Sequence, residues 1–315
     1  MHYRRLGRTN IQVSEIGFGA WAIGGPVMVG TKPFGWGPVD ESDARAAIRR
    51  ALDLGVNFYD TADVYGLGRS EQILGQELKG RKALVATKAG NIRTEAGEVS
   101  RSFSKSYLTE AVEQSLKRLQ RETLDLFQLH NPTEEEIRSG ECLEVLETLR
   151  QDGKIRATGV SIHKPAEGLA LLTGPTPPDT IQLVYNLLNH RMAQEVLPLA
   201  LEEDVGIIVR VPFQYGLLTG KFRRDVVFAP DDHRSRNLAP ETIERGTRLL
   251  EALAPHLEAQ QLTPAQVALK FALAHPAVSV TIPGAKTAEQ VEANASASDG
   301  KNLPSGVTRI IGEAR

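Results

Sequence analysis

Three ionisable residues fall where apolar, strand-like runs end. Asp60 closes Val56–Tyr59, Lys88 closes Leu84–Thr87 and His130 closes Leu124–Leu129; Tyr65 follows Asp60 by five residues, in the adjoining loop. An ionisable group at the end of an apolar strand is costly to bury unless it is paired. Any one of them alone reads more simply as a capping or surface group. Three on consecutive strands could share one mouth, and groups of these types exchange protons with a substrate. Other candidates are weaker. Histidines 2, 130, 163, 190, 233, 256 and 275 contain no His-x-His pair, so a metal-dependent hydrolase lacks its ligands. His163 lies near the presumed mouth and reads as a solvated loop histidine. Cys142 falls in a helical stretch with no base nearby and reads as a buried structural thiol. Asn294-Ala295-Ser296 matches a glycosylation acceptor by accident.

The elements that would position these residues alternate along the chain. Strand-like runs occupy Ile16–Ile23, Val56–Thr61, Ala83–Lys88, Leu124–His130, Ala157–Ile162, Thr180–Tyr185, Gly206–Val211 and Val278–Pro283. Helical periods lie between and after them, at Glu41–Leu54, Ser70–Glu77, Leu108–Leu119, Cys142–Gln151, Pro165–Leu172, Glu195–Glu203, Thr263–His275 and Thr287–Ala295. In the first helix Ala44, Ala47, Ile48, Ala51 and Leu52 share a face, Asp40 reads as N-cap and Gly55 as the stop. Apolar strands alternating with helices predict a parallel sheet buried on both faces. Closed on itself, it is an α/β fold of the (β/α)8 TIM-barrel type, with its site at the C-terminal ends of the strands. An open doubly wound sheet would show similar alternation. Residues 2–15 read as an N-terminal β-hairpin, Tyr3–Leu6 and Gln12–Glu15. After the seventh strand comes a long insertion, the polar loop Arg223–Pro240 and an extra helix at Glu241–Gln260. Residues 1–315 are expected to form one domain. Gly17-x-Gly19-x-x-Ala22 satisfies a dinucleotide fingerprint, but Gly24-Gly25-Pro26 follows where that motif opens a helix, so the Rossmann reading fails.

Composition narrows the partners. Against 39 acidic residues stand 37 Lys and Arg, a net charge of −2. No basic excess exists for a nucleic acid or an anionic membrane surface. Ile16–Thr31 is uncharged but holds glycines and a proline and is too short to span a bilayer. One cysteine, and an N-terminus without an apolar run, predict the cytoplasm. No feature points to an oligomeric state.

Longer segments carry a resemblance. Asn57 to Gly66 (NFYDTADVYG), Ala86-Thr87-Lys88, Leu129-His130-Asn131-Pro132, Gly17 to Trp21 (GFGAW), Gly159-Val160-Ser161, Gly216 to Lys221 (GLLTGK) and Ile282-Pro283-Gly284 resemble the signature segments of the aldo-keto reductases. The likeness runs in order from residue 3 to about residue 296 and is closest to the microbial and channel-β-subunit branch. It implies an oxidoreductase that reduces aldehydes or ketones by hydride transfer from NADPH. Tyr65 would be the general acid. A free tyrosine titrates near pH 10, and Lys88 would lower that value. Asp60 would pair with Lys88, and His130 would orient the carbonyl. The alternative implied by the same branch is a regulatory protein that holds the cofactor with little turnover.

The resemblance also implies a cofactor site. Ser161 and Gln182 match positions that hold the nicotinamide carboxamide, although Ile162 stands where the family often has asparagine. Arg210 takes the place of a stacking aromatic, which its planar guanidinium can imitate. Gly216, Leu218, Gly220 and Lys221 would wrap the pyrophosphate with backbone amides; Pro212 precedes them, and Arg234 would reach in from the insertion. At the adenosine end Gly284 and Lys286 stand in the phosphate loop, Gln290 replaces an arginine and Asn294 matches the adenine contact. NADPH is the cofactor expected, with NADH left open by the missing arginine. Asp60 and Trp21 border the nicotinamide end, and Trp21, Pro26–Val39 and the insertion would wall the substrate pocket.

Overall fold

Each long apolar run becomes a strand because a parallel sheet covered on both faces has no polar side to alternate with. The computed structural model describes residues 1–94, 96–229 and 232–313, with the side chains of residues 32–34 excepted. Its main sheet contains β1 (Phe18–Gly19), β2 (Phe58–Asp60), β3 (Leu84–Ala89), β4 (Leu126–His130), β5 (Thr158–Ser161), β6 (Thr180–Val184), β7 (Gly206–Arg210) and β8 (Val278–Thr281). Neighbours follow chain order and pair in parallel, His130 beside Ser161 and Phe127 beside Thr87. The ring closes between β1 and β8. Ile16 bridges Thr281, Gly19 bridges Gly284, and the Gly19 amide donates to the Pro283 carbonyl at 3.0 Å. A Cβ on Gly19 would stand 2.7 Å from the Ile282 carbonyl oxygen. The glycines of the first strand therefore permit close approach at the seam, and the sheet is a closed (β/α)8 barrel.

Helices form where periodicity and caps place them, within three residues of the sequence reading. The first runs Glu41–Asp53, with the Asp40 carboxylate accepting from the Ser42 and Asp43 amides and Gly55 following at φ +82°. The insertion helix, Pro240–Gln260, starts on proline, which loses nothing at a first turn. Ahead of it the expected polar loop holds a short helix, Arg234–Asn237; Pro230 and Asp231 of that loop lie outside the described residues. Cys142 is buried, its Sγ donating to the Glu136 carbonyl at 3.3 Å, and burial pushes its thiol up to about 11.

The N-terminal hairpin, Tyr3–Arg5 with Gln12–Ser14, plugs the far end of the barrel. Leu6, Ile11 and Val13 pack against Phe58, Leu126, Ile208 and Val280 from the barrel interior. Two antiparallel ribbons not foreseen from sequence, Pro26–Val29 with Lys32–Gly35 and Asn91–Arg93 with Val99–Arg101, rise beside the open end. No helix among the described residues is long and apolar enough to cross a membrane.

Candidate active site

The strand-end residues meet. Lys88, 1% exposed at the end of β3, donates to Asp60 Oδ1 at 2.6 Å and to the Thr61 carbonyl at 2.7 Å. The other Asp60 oxygen accepts from Gln182 Nε2 at 2.8 Å and Gln128 Nε2 at 3.0 Å. So the carboxylate is saturated and the ammonium fixed. The Tyr65 ring centroid lies 5.3 Å from Lys88 Nζ, and the ring meets His130 edge-on at 6.1 Å and Trp21 at 6.2 Å.

The electrostatics correct one expectation. Burial first, and then the Asp60 charge, push the Tyr65 phenol well above the ordinary tyrosine value, while Arg210 pulls the other way. The nearby Lys88 ammonium does not outweigh burial: it is already held by Asp60, and burial works against its own charge too. His130 is held well below the ordinary imidazole value by burial and by the Lys88 and Arg210 charges, so its ring is neutral at pH 7. His130 Nδ1 is buried with no hydrogen-bond partner among the described residues.

A cleft of about 830 Å³ opens over this cluster, and it brings together most of the expected set. Asp60, Tyr65, His130, Trp21, Ser161, Gln182, Arg210, Pro212, Gly216, Lys221, Arg234, Gly284, Lys286, Gln290 and Asn294 all line it. Lys88, Leu218 and Gly220 are not among the lining residues: Lys88 is sealed behind its bond to Asp60, the Leu218 side chain is wholly buried, and Gly220 ends a 3-10 turn over Leu217–Thr219. Of the amides expected to wrap a pyrophosphate, those of Gly216, Leu218 and Gly220 are already used inside that turn. Those of Gly216 and Leu218 donate to Phe213, Leu217 to Gln214, Thr219 to Gly216 and Gly220 to Leu217. The side chains of Lys221, Arg234 and Lys286 bring positive charge to the same cleft. Arg234 Nε donates to both Asp232 carboxylate oxygens, at 2.9 and 3.0 Å. Lys286 Nζ donates to the carbonyls of Pro38 (2.9 Å) and Trp36 (3.3 Å), and Gln290 Oε1 accepts from the Lys286 amide.

Sequence reasoning missed several lining residues. His163 is exposed, as a loop histidine near the mouth should be, but it is not idle: its Nδ1 meets Arg210 at 3.0 Å, and burial of the ring, reinforced by the Arg210 charge, lowers it to about 4. Asn131, at φ +63°, accepts from the Ser161 hydroxyl at 3.0 Å. Its place directly after His130 was the available signal. Asn91 and Arg93 reach the cleft from a ribbon that the sequence did not reveal.

The sequence profile of the Aldo/keto reductase family matches residues 15–314. Aldo-keto reductase YhdN of Bacillus subtilis is 33% identical over 304 residues, 93% of this chain and 87% of that one. A protein of Escherichia coli named NADH-specific methylglyoxal reductase is 32% identical over 93% of this chain and 92% of its own. The solved glycerol dehydrogenase of Gluconobacter oxydans superposes with a TM-score of 0.85 at 30% identity, covering 99% of this chain and 94% of that one. A barrel closed in chain order, a buried lysine–carboxylate pair at its mouth and these likenesses over nearly the whole length agree: the chain belongs to the aldo/keto reductase family of oxidoreductases.

Proposed function

We propose that the chain reduces aldehydes or ketones to alcohols, with a nicotinamide cofactor lying along the cleft and Tyr65 donating the proton. The observation that carries this reading is the sealed Lys88–Asp60 pair next to Tyr65 and His130 on the cleft floor. The cofactor, when bound, supplies the hydride. Residues present fit such a group. Lys221, Arg234 and Lys286 match a diphosphate in charge. Gln182 has committed its Nε2 to Asp60 and Gln128, which leaves its amide oxygen to accept from a carboxamide. Buried Arg210 Nε has no partner among the described residues, as expected of a donor awaiting a ligand.

A phenol pushed upward by burial keeps its proton until an oxygen becomes strongly basic, which suits a general acid. As the carbonyl oxygen gains charge, Tyr65 Oη releases its proton to it, and Lys88 and Arg210 counter the phenolate left behind. His130, neutral, donates a hydrogen bond to the same oxygen. NADPH is the proposed cofactor, with Lys286 at its 2′-phosphate. The bonds of Lys286 to Trp36 and Pro38, and glutamine at position 290, favour NADH as the second reading. Titration with each reduced cofactor, followed by 4-nitrobenzaldehyde and loss of cofactor absorbance, tests both. Binding with turnover is expected. Tight binding without turnover across a panel of aldehydes overturns the reductase reading; binding of neither cofactor overturns the assignment of the cleft.

A further inference from the structure

Backbone strain gathers at one wall of the cleft. Val211, Gln214 and Tyr215 hold φ of +54°, +45° and +57°, and Gly216 follows at +90°. This left-handed region suits glycine and crowds a β-branched side chain, and Val211 is the one β-branched residue to adopt it among the described residues. Val211, Pro212, Phe213, Tyr215 and Gly216 all line the cleft, between Arg210 and Lys221. A backbone so disposed persists only where its surroundings impose the shape.

One side chain spans the strained stretch. Strands β6 and β7 stay paired as far as Val184 beside Arg210, and Asn186 stands two residues past that pair. Its Nδ2 donates to the Val211 carbonyl and to Gln214 Oε1, both at 2.9 Å. Asn186 is wholly buried and is not among the residues that line the cleft. Its own place is fixed. Its backbone exchanges hydrogen bonds with Asn189 at 3.0 and 3.1 Å, and its Oδ1 accepts from the Leu188 amide at 2.9 Å. The Leu188 carbonyl in turn accepts from Arg245 of the insertion helix at 2.6 Å. The wall is thus tied through Asn186 to the end of β6 and to that helix.

Resting on the reading that a nicotinamide cofactor lies along this cleft, we propose that Asn186 is a positioning residue for the cofactor. Its two hydrogen bonds hold residues 211–216 in the strained shape that receives the dinucleotide, so the wall is built before the ligand arrives. Without them the segment relaxes toward negative φ, and apparent affinity falls with the fraction of molecules that keep the wall in place. The competing role is structural: Asn186 would serve only to close the turn at 186–189.

Fluorescence titration with NADPH and with NADH, beside urea unfolding, compares the wild type with Asn186→Ala. The dissociation constant of the better-bound cofactor should rise about tenfold, the worth of two hydrogen bonds, while kcat at saturating cofactor does not fall. Glycine takes positive φ without strain, so in a Val211→Gly background the same substitution should cost about twofold or less. An equal loss in both backgrounds, or lowered stability with affinity unchanged, would confine Asn186 to its turn and overturn the proposal. Should Asn186→Ala fail to fold, Gln214→Leu decides, because it removes one acceptor and leaves the 186–189 turn intact. It should weaken the cofactor about threefold, and unchanged affinity would overturn the clamp. Wild-type protein that binds neither cofactor sinks the reading beneath; a bound cofactor indifferent to Asn186 sinks the clamp alone.

Discussion

An ammonium sealed as deeply as Lys88 is tolerable only because Asp60 and the Thr61 carbonyl hold it, and that arrangement decides what Tyr65 can do. The phenol is left protonated, with a cation near enough to stabilise the anion it becomes. Tyr65→Phe should therefore lower carbonyl reduction by about 10²–10⁴-fold, the usual worth of a positioned acid, while cofactor affinity stays nearly unchanged. Steady-state rates beside a fluorescence titration would show it, and wild-type turnover in the variant would remove Tyr65 from its role. Asp63, two residues earlier, shows the reverse balance. Burial, helped by the Glu71 charge, raises its carboxyl to about 7 from an ordinary 3.8, and Oδ1 has no partner among the described residues. A carboxyl raised on folding binds its proton more tightly in the native state. Stability is therefore lost as pH rises from about 4 to about 7, and the loss is complete above that. Asp63→Asn should flatten the stability profile over this window and stabilise the protein at pH 8. Urea unfolding at a series of pH values tests it; an unchanged profile would mean that Asp63 ionises freely in the fold.

Among the elements, the segments around the mouth are tied to one another as well as to the barrel. Lys286, after β8, grips the carbonyls of Trp36 and Pro38, and the Trp36 ring lies 4.2 Å from that of His233 in the insertion and 5.1 Å from Trp21. Lys286→Met should loosen the Trp36 segment, since bonds from a charged donor are worth about 1.5–3 kcal/mol together with their burial. The chain has two tryptophans, so in a Trp21→Phe background acrylamide quenching reports Trp36 alone. Quenching should rise; an unaltered value would assign the segment to ring stacking. These ties explain what the sequence could and could not disclose. Barrel strands were legible because burial on both faces writes continuous apolar runs, and helix starts because Asp40 and Thr287 cap them. The gathering of Asp60, Lys88 and His130 at one end of the barrel was legible because strand ends are where a barrel exposes polar groups. The ribbons were not: Lys32–Gly35 contains proline and glycine, and three or four residues are too few to show an alternation. Nor could the glycine turn at 216–220 reveal whether its amides face a ligand or one another. His163 met its partner Arg210 across 47 residues, beyond the reach of any local pattern.

At the scale of the molecule the two ends of the barrel divide the work. The C-terminal end leaves polar groups open to the cleft; the N-terminal end is shut by the hairpin, with Gly7 so close to β7 that a Cβ would stand 2.2 Å from the Gly206 amide nitrogen. Leu6 is wholly buried there among Phe58, Leu126 and Ile208. Leu6→Ala would leave a cavity that a close-packed interior fills poorly, at a cost of about 2–5 kcal/mol. Lys88 and Asp60 sit on the same strands as the residues around that cavity, but their positions are held by bonds to each other, to Thr61 and to the glutamines, not by Leu6. The variant should therefore unfold at lower urea while retaining cofactor affinity and turnover at 25 °C, the converse of Tyr65→Phe. Turnover falling in step with stability would show instead that the plug also sets the geometry of the mouth, with strain carried along β2 and β3 from one end of the barrel to the other.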